Sequence, residues 1–285
     1  MLLEPALEFL AVRPDGIYVD ATFGAGGHAR AILDCLAGGR LIALDADPSA
    51  RMQAEALADP RLTFVRHNFG GLASILDRSG IESVDGVLFD LGVSSMQFDD
   101  APRGFSVGKT APLDMRMNPL EGRSAYDVLA NASEGELADI FHHYGEERFA
   151  RRIAHAIVVR RAAGALPTTT TELASLVSGV VQRRGHRERI HPATRVFQAL
   201  RIAVNDELNA LRDGLSAAVA RLRVAGRVVV ISFHSLEDRI VKHAFRDDAR
   251  LDVLTRKPVA PTSQEISDNP RARSARLRAA RRKAS

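Results

Sequence analysis

The sequence predicts an α/β fold in which a parallel sheet is interrupted, between its fourth and fifth strands, by an inserted all-helical domain. Three observations predict it. Over the first ninety residues, short apolar runs alternate with helix-like stretches, the pattern of a parallel sheet covered by helices on both faces. From about Leu113 to Leu215 no convincing strand appears and helical periodicity takes over. A strong apolar run, Val228–Phe233, then resumes the α/β pattern. Residues 1–112 and 216–285 therefore form one discontinuous, Rossmann-like domain, and 113–215 form the insert.

In chain order, Ile17–Asp20, Leu41–Ala46, Leu62–Arg66 and Val84–Asp90 read as buried strands, being short aliphatic runs bounded by polar and turn residues. Helical stretches at about 27–37, 48–58 and 70–79 fill the gaps. Within the insert the helices are Ser124–Ala130, Glu134–Tyr144, Glu146–Ala163, Thr170–Val181 and one long Ala193–Leu215. The Thr168–Thr171 run ahead of Glu172 supplies hydroxyl caps for a helix start. Segment 251–269 is weakly patterned, with room for one or two edge strands.

Composition narrows the classes. A chain of 285 residues can bury a sizeable core without staples. Cys35 is the only cysteine, so neither an internal disulfide nor a cysteine-rich metal site is available; no metal is expected, and a cytoplasmic setting is. The opening MLLEPALEFL carries Glu4 and Glu8 and no basic stretch, unlike a signal peptide. No apolar run approaches the roughly 20 residues that span a bilayer.

The net charge of +4 is unevenly spread. Arg271, Arg273, Arg276, Arg278, Arg281, Arg282 and Lys283 form an acid-free run, a solvated tail or a phosphate-binding one; the competing reading is structural, with Ala275–Ala279 completing a strand or packing on the sheet. The insert is also rich in arginine, with Arg151, Arg152, Arg160, Arg161, Arg183, Arg184, Arg187, Arg189 and Arg195 beside His186 and His191. Arginine suits phosphate contact and base stacking; ion pairs with Glu146, Glu147 and Glu188 account for about half of these residues.

The densest chemistry is Asp20-Ala-Thr-Phe-Gly24-Ala-Gly26-Gly27-His28, directly after the first strand. Its glycines permit a tight turn and close backbone approach at a helix N-terminus, but do not choose between cofactors. Asp45 ends the second strand, where a carboxylate can accept hydrogen bonds from both ribose hydroxyls. Asp20 discriminates better: a carboxylate suits a sulfonium and an ammonium group and would repel a pyrophosphate. The blander roles are loop capping for Asp20, a helix start for Asp45, a first-turn polar residue for His28 and core packing for Phe69. At the fourth strand's end, Asp90 and the Leu91 carbonyl can accept from a target amine and aim its lone pair; equally, Asp90 can orient the cofactor's amino group. His234-Ser235 follow the fifth strand without a nucleophile-elbow pattern, which favours substrate positioning over hydrolysis.

Several runs together are specific. Asp90-Leu-Gly-Val-Ser-Ser-Met-Gln97, Arg103-Gly-Phe-Ser106, Pro112-Leu-Asp-Met-Arg-Met117, Tyr144-Gly-Glu-Glu-Arg-Phe-Ala150, His191-Pro-Ala-Thr-Arg195, Phe197-Gln-Ala-Leu-Arg-Ile202, Ile231-Ser-Phe-His-Ser-Leu-Glu-Asp-Arg239 and Asn269-Pro-Arg-Ala-Arg-Ser-Ala-Arg-Leu-Arg278 resemble the bacterial small-subunit (16S) ribosomal RNA cytosine-N4 methyltransferase family. The resemblance spans nearly the whole chain. It implies S-adenosyl-L-methionine as cofactor, held at Gly26, Gly27, His28, Asp45, Phe69, Asp90 and Gln97. It also implies methylation of one decoding-centre cytosine in the small ribosomal subunit, with His191, Arg195, His234 and Ser235 as candidate substrate contacts. Met96 departs from a proline common in the family, and no His-x-Pro-Val segment precedes Leu2-Leu3-Glu4. A homodimer is compatible with this reading. Two other classes share part of the pattern: a nicotinamide-dependent dehydrogenase would use the same glycines and Asp45, and a non-catalytic ribosome-assembly factor the same basic insert and tail.

Overall fold

A computed structural model describes residues 1–182 and 191–284; Arg183, Arg184, His186, Arg187, Glu188 and Arg189 lie outside the described residues. The chain forms two compact units, Met1–Gly92 with Leu208–Ser285, and Val93–Glu207.

The first unit is a sheet of β1 (Ile17–Asp20), β2 (Arg40–Asp45), β3 (Leu62–Arg66), β4 (Val84–Asp90), β5 (Leu222–Ser232), β6 (Leu251–Val253) and β7 (Arg276–Arg282). Their order across the sheet is β3-β2-β1-β4-β5-β7-β6. The first five strands run parallel, while β7 lies antiparallel between β5 and β6. This is the Rossmann-like arrangement, whose order reverses between β1 and β4. Ligands bind at such a switch point, outside the carboxyl ends of the strands.

Alternation along the strands divides the core. Val87, Phe89, Val228 and Val230 face one layer, formed by α4 (Leu72–Arg78), α11 (Glu207–Arg221) and α12 (Ser235–Asp247). Leu88, Val229 and Ile231 face the other, with α1 (Leu3–Leu10), α2 (Gly27–Cys35) and α3 (Ala50–Leu57). A strand buried on both faces reads as a continuous apolar run, which is why β4 is plain in the sequence. The short α13 (Ser263–Asp268) completes this unit.

The second unit contains α5 (Ser95–Asp99), α6 (Ala125–Asn131), α7 (Glu134–His143), α8 (Ala150–Ala162), α9 (Thr170–Gln182) and α10 (Thr194–Asn205). Leu129, Leu137, Phe141, Ile153, Ile157, Leu173, Val177, Phe197 and Leu200 fill its core. Ser124 and Ser133 start α6 and α7 through reciprocal capping boxes with Asp127 and Glu136, satisfying backbone donors that each helix start leaves open.

Three expectations need correction. The unit boundaries differ from 113 and 215 because Val93, Phe98 and Phe105 pack in the helical core, whereas Leu211 and Leu215 pack in the sheet core. The single helix expected over Ala193–Leu215 is two helices, broken at Asp206, whose φ of 49° is left-handed. The weak segment holds one edge strand, β6, as expected, together with the helix α13. Most consequentially, the basic tail is an internal strand: Ala279 and Ala280 are buried, and Arg278 forms a buried two-pronged pair with Asp238 of α12 at 2.6 and 3.1 Å. Arg281 pairs with Asp252, and Arg282 donates to the Val219 carbonyl. In the insert, Arg161 is likewise structural, donating to the carbonyls of Leu129, Ala130 and Ala132 at the end of α6.

Candidate cofactor and active site

The loop from Ala21 to Gly26 is anchored to three strands at once. Ala21 N donates to the Leu88 carbonyl, Phe23 N to the Leu44 carbonyl and Gly24 N to Asp45 Oδ2. Thr22 accepts at Oγ1 from Asp90 N at 2.6 Å, and its own N donates to Asp20 Oδ1 at 3.1 Å. The loop thereby holds the ends of β1, β2 and β4 in a fixed relation, and a ligand seated on it meets three carboxylates.

Glycine is required at Gly26 but not at Gly27. Gly26 has φ of +79°, and a Cβ there would lie 2.8 Å from the Phe23 ring; no other residue fits without strain. Gly27 differs, since a Cβ there would meet nothing within 4 Å. Its value lies in the open space over the first turn of α2, which has no side-chain cap and so offers backbone N–H groups to a ligand.

The three acids differ in environment. Asp45 is half-buried, and its oxygens accept from Gly24 N and Asp47 N at 2.7 and 2.8 Å. Each carboxylate oxygen carries two lone pairs, the acceptor chemistry that suits a ribose diol. Asp47 accepts from the N and Oγ of Ser49 ahead of α3, which assigns the helix start to Asp47. Asp20 is buried, and its Oδ2 has no partner; burial, with Asp90 and Asp45 adding repulsion, pushes it up to about 7. Asp90 Oδ1 is equally buried and unpartnered, and burial raises Asp90 to about 6 against the N-terminal ammonium 3.7 Å from Oδ2.

His28 is buried beside Asp90, with Nδ1 3.5 Å from Oδ2 and Nε2 3.1 Å from the Met1 carbonyl. Burial, then the nearby N-terminal ammonium, lowers it to about 4. Phe69 opens a short turn after β3 and packs edge-on against Phe89 with centroids 5.7 Å apart. It serves the core while remaining half-exposed.

Other expected site residues have structural work. Gln97 closes a capping box with Ser94 at the start of α5, in the helical unit. His234 caps α12, its Nδ1 accepting from Glu237 N at 3.4 Å, while Glu237 accepts from the backbone of Phe233 and His234. Ser235 is the first residue of that helix. His191 is exposed and accepts from Ala193 N ahead of α10, in which Arg195 lies. Sequence reasoning missed Thr22, whose hydroxyl joins the β1 and β4 ends; a threonine two residues past a strand-ending acid was the available signal.

Residues 1–283 match the MraW methylase family. The chain belongs to that family. It is 51% identical over 301 residues to a protein of Azoarcus sp. (strain BH72) called ribosomal RNA small subunit methyltransferase H, covering 99% of this chain and 96% of that one. Proteins of the same name from Nitrosococcus oceani and Thermomicrobium roseum are 50% and 52% identical, over 98% and 99% of this chain and 95% and 92% of theirs. This MraW-family methylase is a methyltransferase dependent on S-adenosylmethionine, and the dehydrogenase and non-catalytic alternatives lapse. The residues present fit that cofactor: an orphaned buried carboxylate oxygen on Asp20 suits a cationic group, and the open ground over Gly27 admits it. Among the described residues, no helix is long and apolar enough to cross a membrane.

Proposed function

We propose that this methylase transfers the methyl group of S-adenosylmethionine to the exocyclic N4 amine of one cytosine in the decoding centre of 16S ribosomal RNA. The observation that carries the reading is the pair of carboxylates at the ends of β1 and β4, Asp20 and Asp90, each with a buried oxygen lacking a partner. Buried polar atoms are seldom left so; one oxygen suits the cationic cofactor and the other an N–H of the target. The relatives' printed name, a small-subunit ribosomal RNA methyltransferase, supports an RNA substrate.

The cofactor supplies an electrophilic methyl group. Asp45 receives its ribose hydroxyls, Asp20 faces its positive charge, Phe69 flanks its adenine, and Gly26, Gly27 and His28 form the floor. Asp90 accepts from the target amine, localising a lone pair that otherwise delocalises into the ring and aiming it at the methyl carbon. The helical unit handles RNA through exposed arginines of α8, Arg151, Arg152 and Arg160, which suit phosphates. An enzyme with this substrate works in the cytoplasm. Mass mapping of modified nucleosides in 16S ribosomal RNA from a gene-deletion strain tests the reading. Loss of one N4-methylcytosine, restored by the wild-type gene but not by an Asp90→Asn variant, is expected; an unchanged modification map would overturn it.

A further inference from the structure

His28 and Asp90 face one another through two lone pairs. The Met1 carbonyl can only accept, so at 3.1 Å His28 Nε2 must be the donor. With its hydrogen on Nε2, a neutral imidazole turns a bare Nδ1 toward Asp90 Oδ2, 3.5 Å away. Two buried acceptors at that distance repel when no proton lies between them, and the repulsion raises their affinity for one. The geometry points to a dyad: His28 and Asp90 share one proton site, and this pair takes up the proton that the target amine must release.

The inference rests on the proposed N4 chemistry. The amine nitrogen gives its lone pair to the methyl carbon as the carbon–sulfur bond breaks, its electron pair staying on sulfur. The nitrogen is then cationic and carries one hydrogen too many. Asp90 accepts that hydrogen as a proton, His28 Nδ1 shares it, and the pair returns it to water once product leaves. No co-reactant beyond the cofactor is required.

The surroundings suit a base at neutral pH. Around Asp90 stand the Met1 ammonium, which favours its ionised form, and Glu237 and Glu265, which oppose it; Asp20 lies close enough for the two acids to repel. Burial leaves His28 neutral and Asp90 raised to about 6, so near pH 7.5 the shared site is mostly empty and ready to accept. Such a pair titrates as a unit. His28 is here a positioning residue, acting through Asp90.

Two measurements test this. In the free protein, nitrogen-15 spectroscopy of histidine should find His28 in its Nε2–H form at pH 8, with Nδ1 shifting as the pH falls through about 6. Asp90→Asn should abolish that shift. An Nδ1–H form, or no titration, overturns the dyad without touching the proposed substrate. On 16S ribosomal RNA, wild-type kcat should fall as the pH drops through the dyad. His28→Asn presents an amide N–H to the carboxylate and favours its ionised form, so the acid limb should move at least half a unit lower. The plateau kcat should drop about tenfold. An unmoved limb, with only a raised KM for the cofactor, would reduce His28 to a binding residue and overturn the inference. If wild-type protein methylates no cytosine N4, the functional reading fails instead, while the spectroscopic result stands on its own.

Discussion

Asp20 is an acid held where its charge is unwelcome until something cationic arrives, and this makes cofactor binding a proton-linked event. With the folded-state value near 7 against a usual 3.8, the contribution of Asp20 to stability is fully present below the unfolded value. It is lost as pH rises through 7, so the ligand-free protein should be more stable at pH 5 than at pH 8, by on the order of a few kcal/mol from this group. A sulfonium or ammonium beside Asp20 restores the ionised form and expels the proton. Cofactor affinity should therefore rise between pH 6 and 8. Calorimetry at pH 6.5 in two buffers of different ionisation heat should show net proton release, absent in Asp20→Asn. Asp45 answers to a different measurement. Asp45→Ala removes the expected ribose acceptor and the tie to Gly24, which should weaken binding by about 1.5–3 kcal/mol. Unchanged affinity in a folded variant would remove Asp45 from the site. The placing of both acids at strand ends was legible in the sequence because each closes an apolar run; the bridging hydroxyl of Thr22 was not, since its partner lies on a strand far along the chain.

At the scale of elements, β7 shows where local reading fails. The sequence Arg-Leu-Arg-Ala-Ala-Arg-Arg reads as a cationic tail, because nothing nearby reveals that Arg278 meets Asp238 inside the sheet or that Ala279 and Ala280 are fully buried. The same limit hid the break at Asp206, where a non-glycine residue takes a left-handed conformation inside a continuous helical pattern. β1 and β4 were legible to the residue because burial on both faces leaves an unmistakable apolar run, and the edge strand β3 because Leu62, Phe64 and Val65 stand between turn residues. Truncation after Asn269 removes the strand that pairs with both β5 and β6; it should abolish cooperative melting and cofactor binding together. A finer test breaks the pair alone. Arg278→Ala leaves Asp238 buried and unpaired, apart from the more distant Arg276, and should cost about 3–5 kcal/mol, whereas replacing both partners with apolar residues of similar volume should recover most of it. Urea denaturation of the two variants separates these outcomes.

For the whole molecule, with Arg278 and Arg282 of the tail committed to the sheet, the exposed Arg151, Arg152 and Arg160 of α8 are the candidate RNA contacts in the helical unit. Extruding a base from structured RNA costs a few kcal/mol, and phosphate contacts are the natural compensation. Changing the three arginines to alanine should flatten the dependence of RNA affinity on salt, by roughly 0.7–0.9 in logarithmic slope per lost contact. Cofactor affinity and melting temperature should stay as in the wild type, because these side chains lie outside the core of their unit. An unchanged slope would show that α8 does not touch the RNA. The placing of β7 also bears on how the molecule is made. During synthesis β5 emerges well before the strand that pairs with its outer edge, and Val228–Ile231 must wait while the chain through α12, β6 and α13 is added. At roughly 5–20 residues per second that wait lasts seconds, with an apolar edge open to any passing strand. Nascent chains arrested before residue 270 should therefore be cut by protease within β5 and bind chaperones, and both signs should vanish once Arg282 has cleared the exit tunnel.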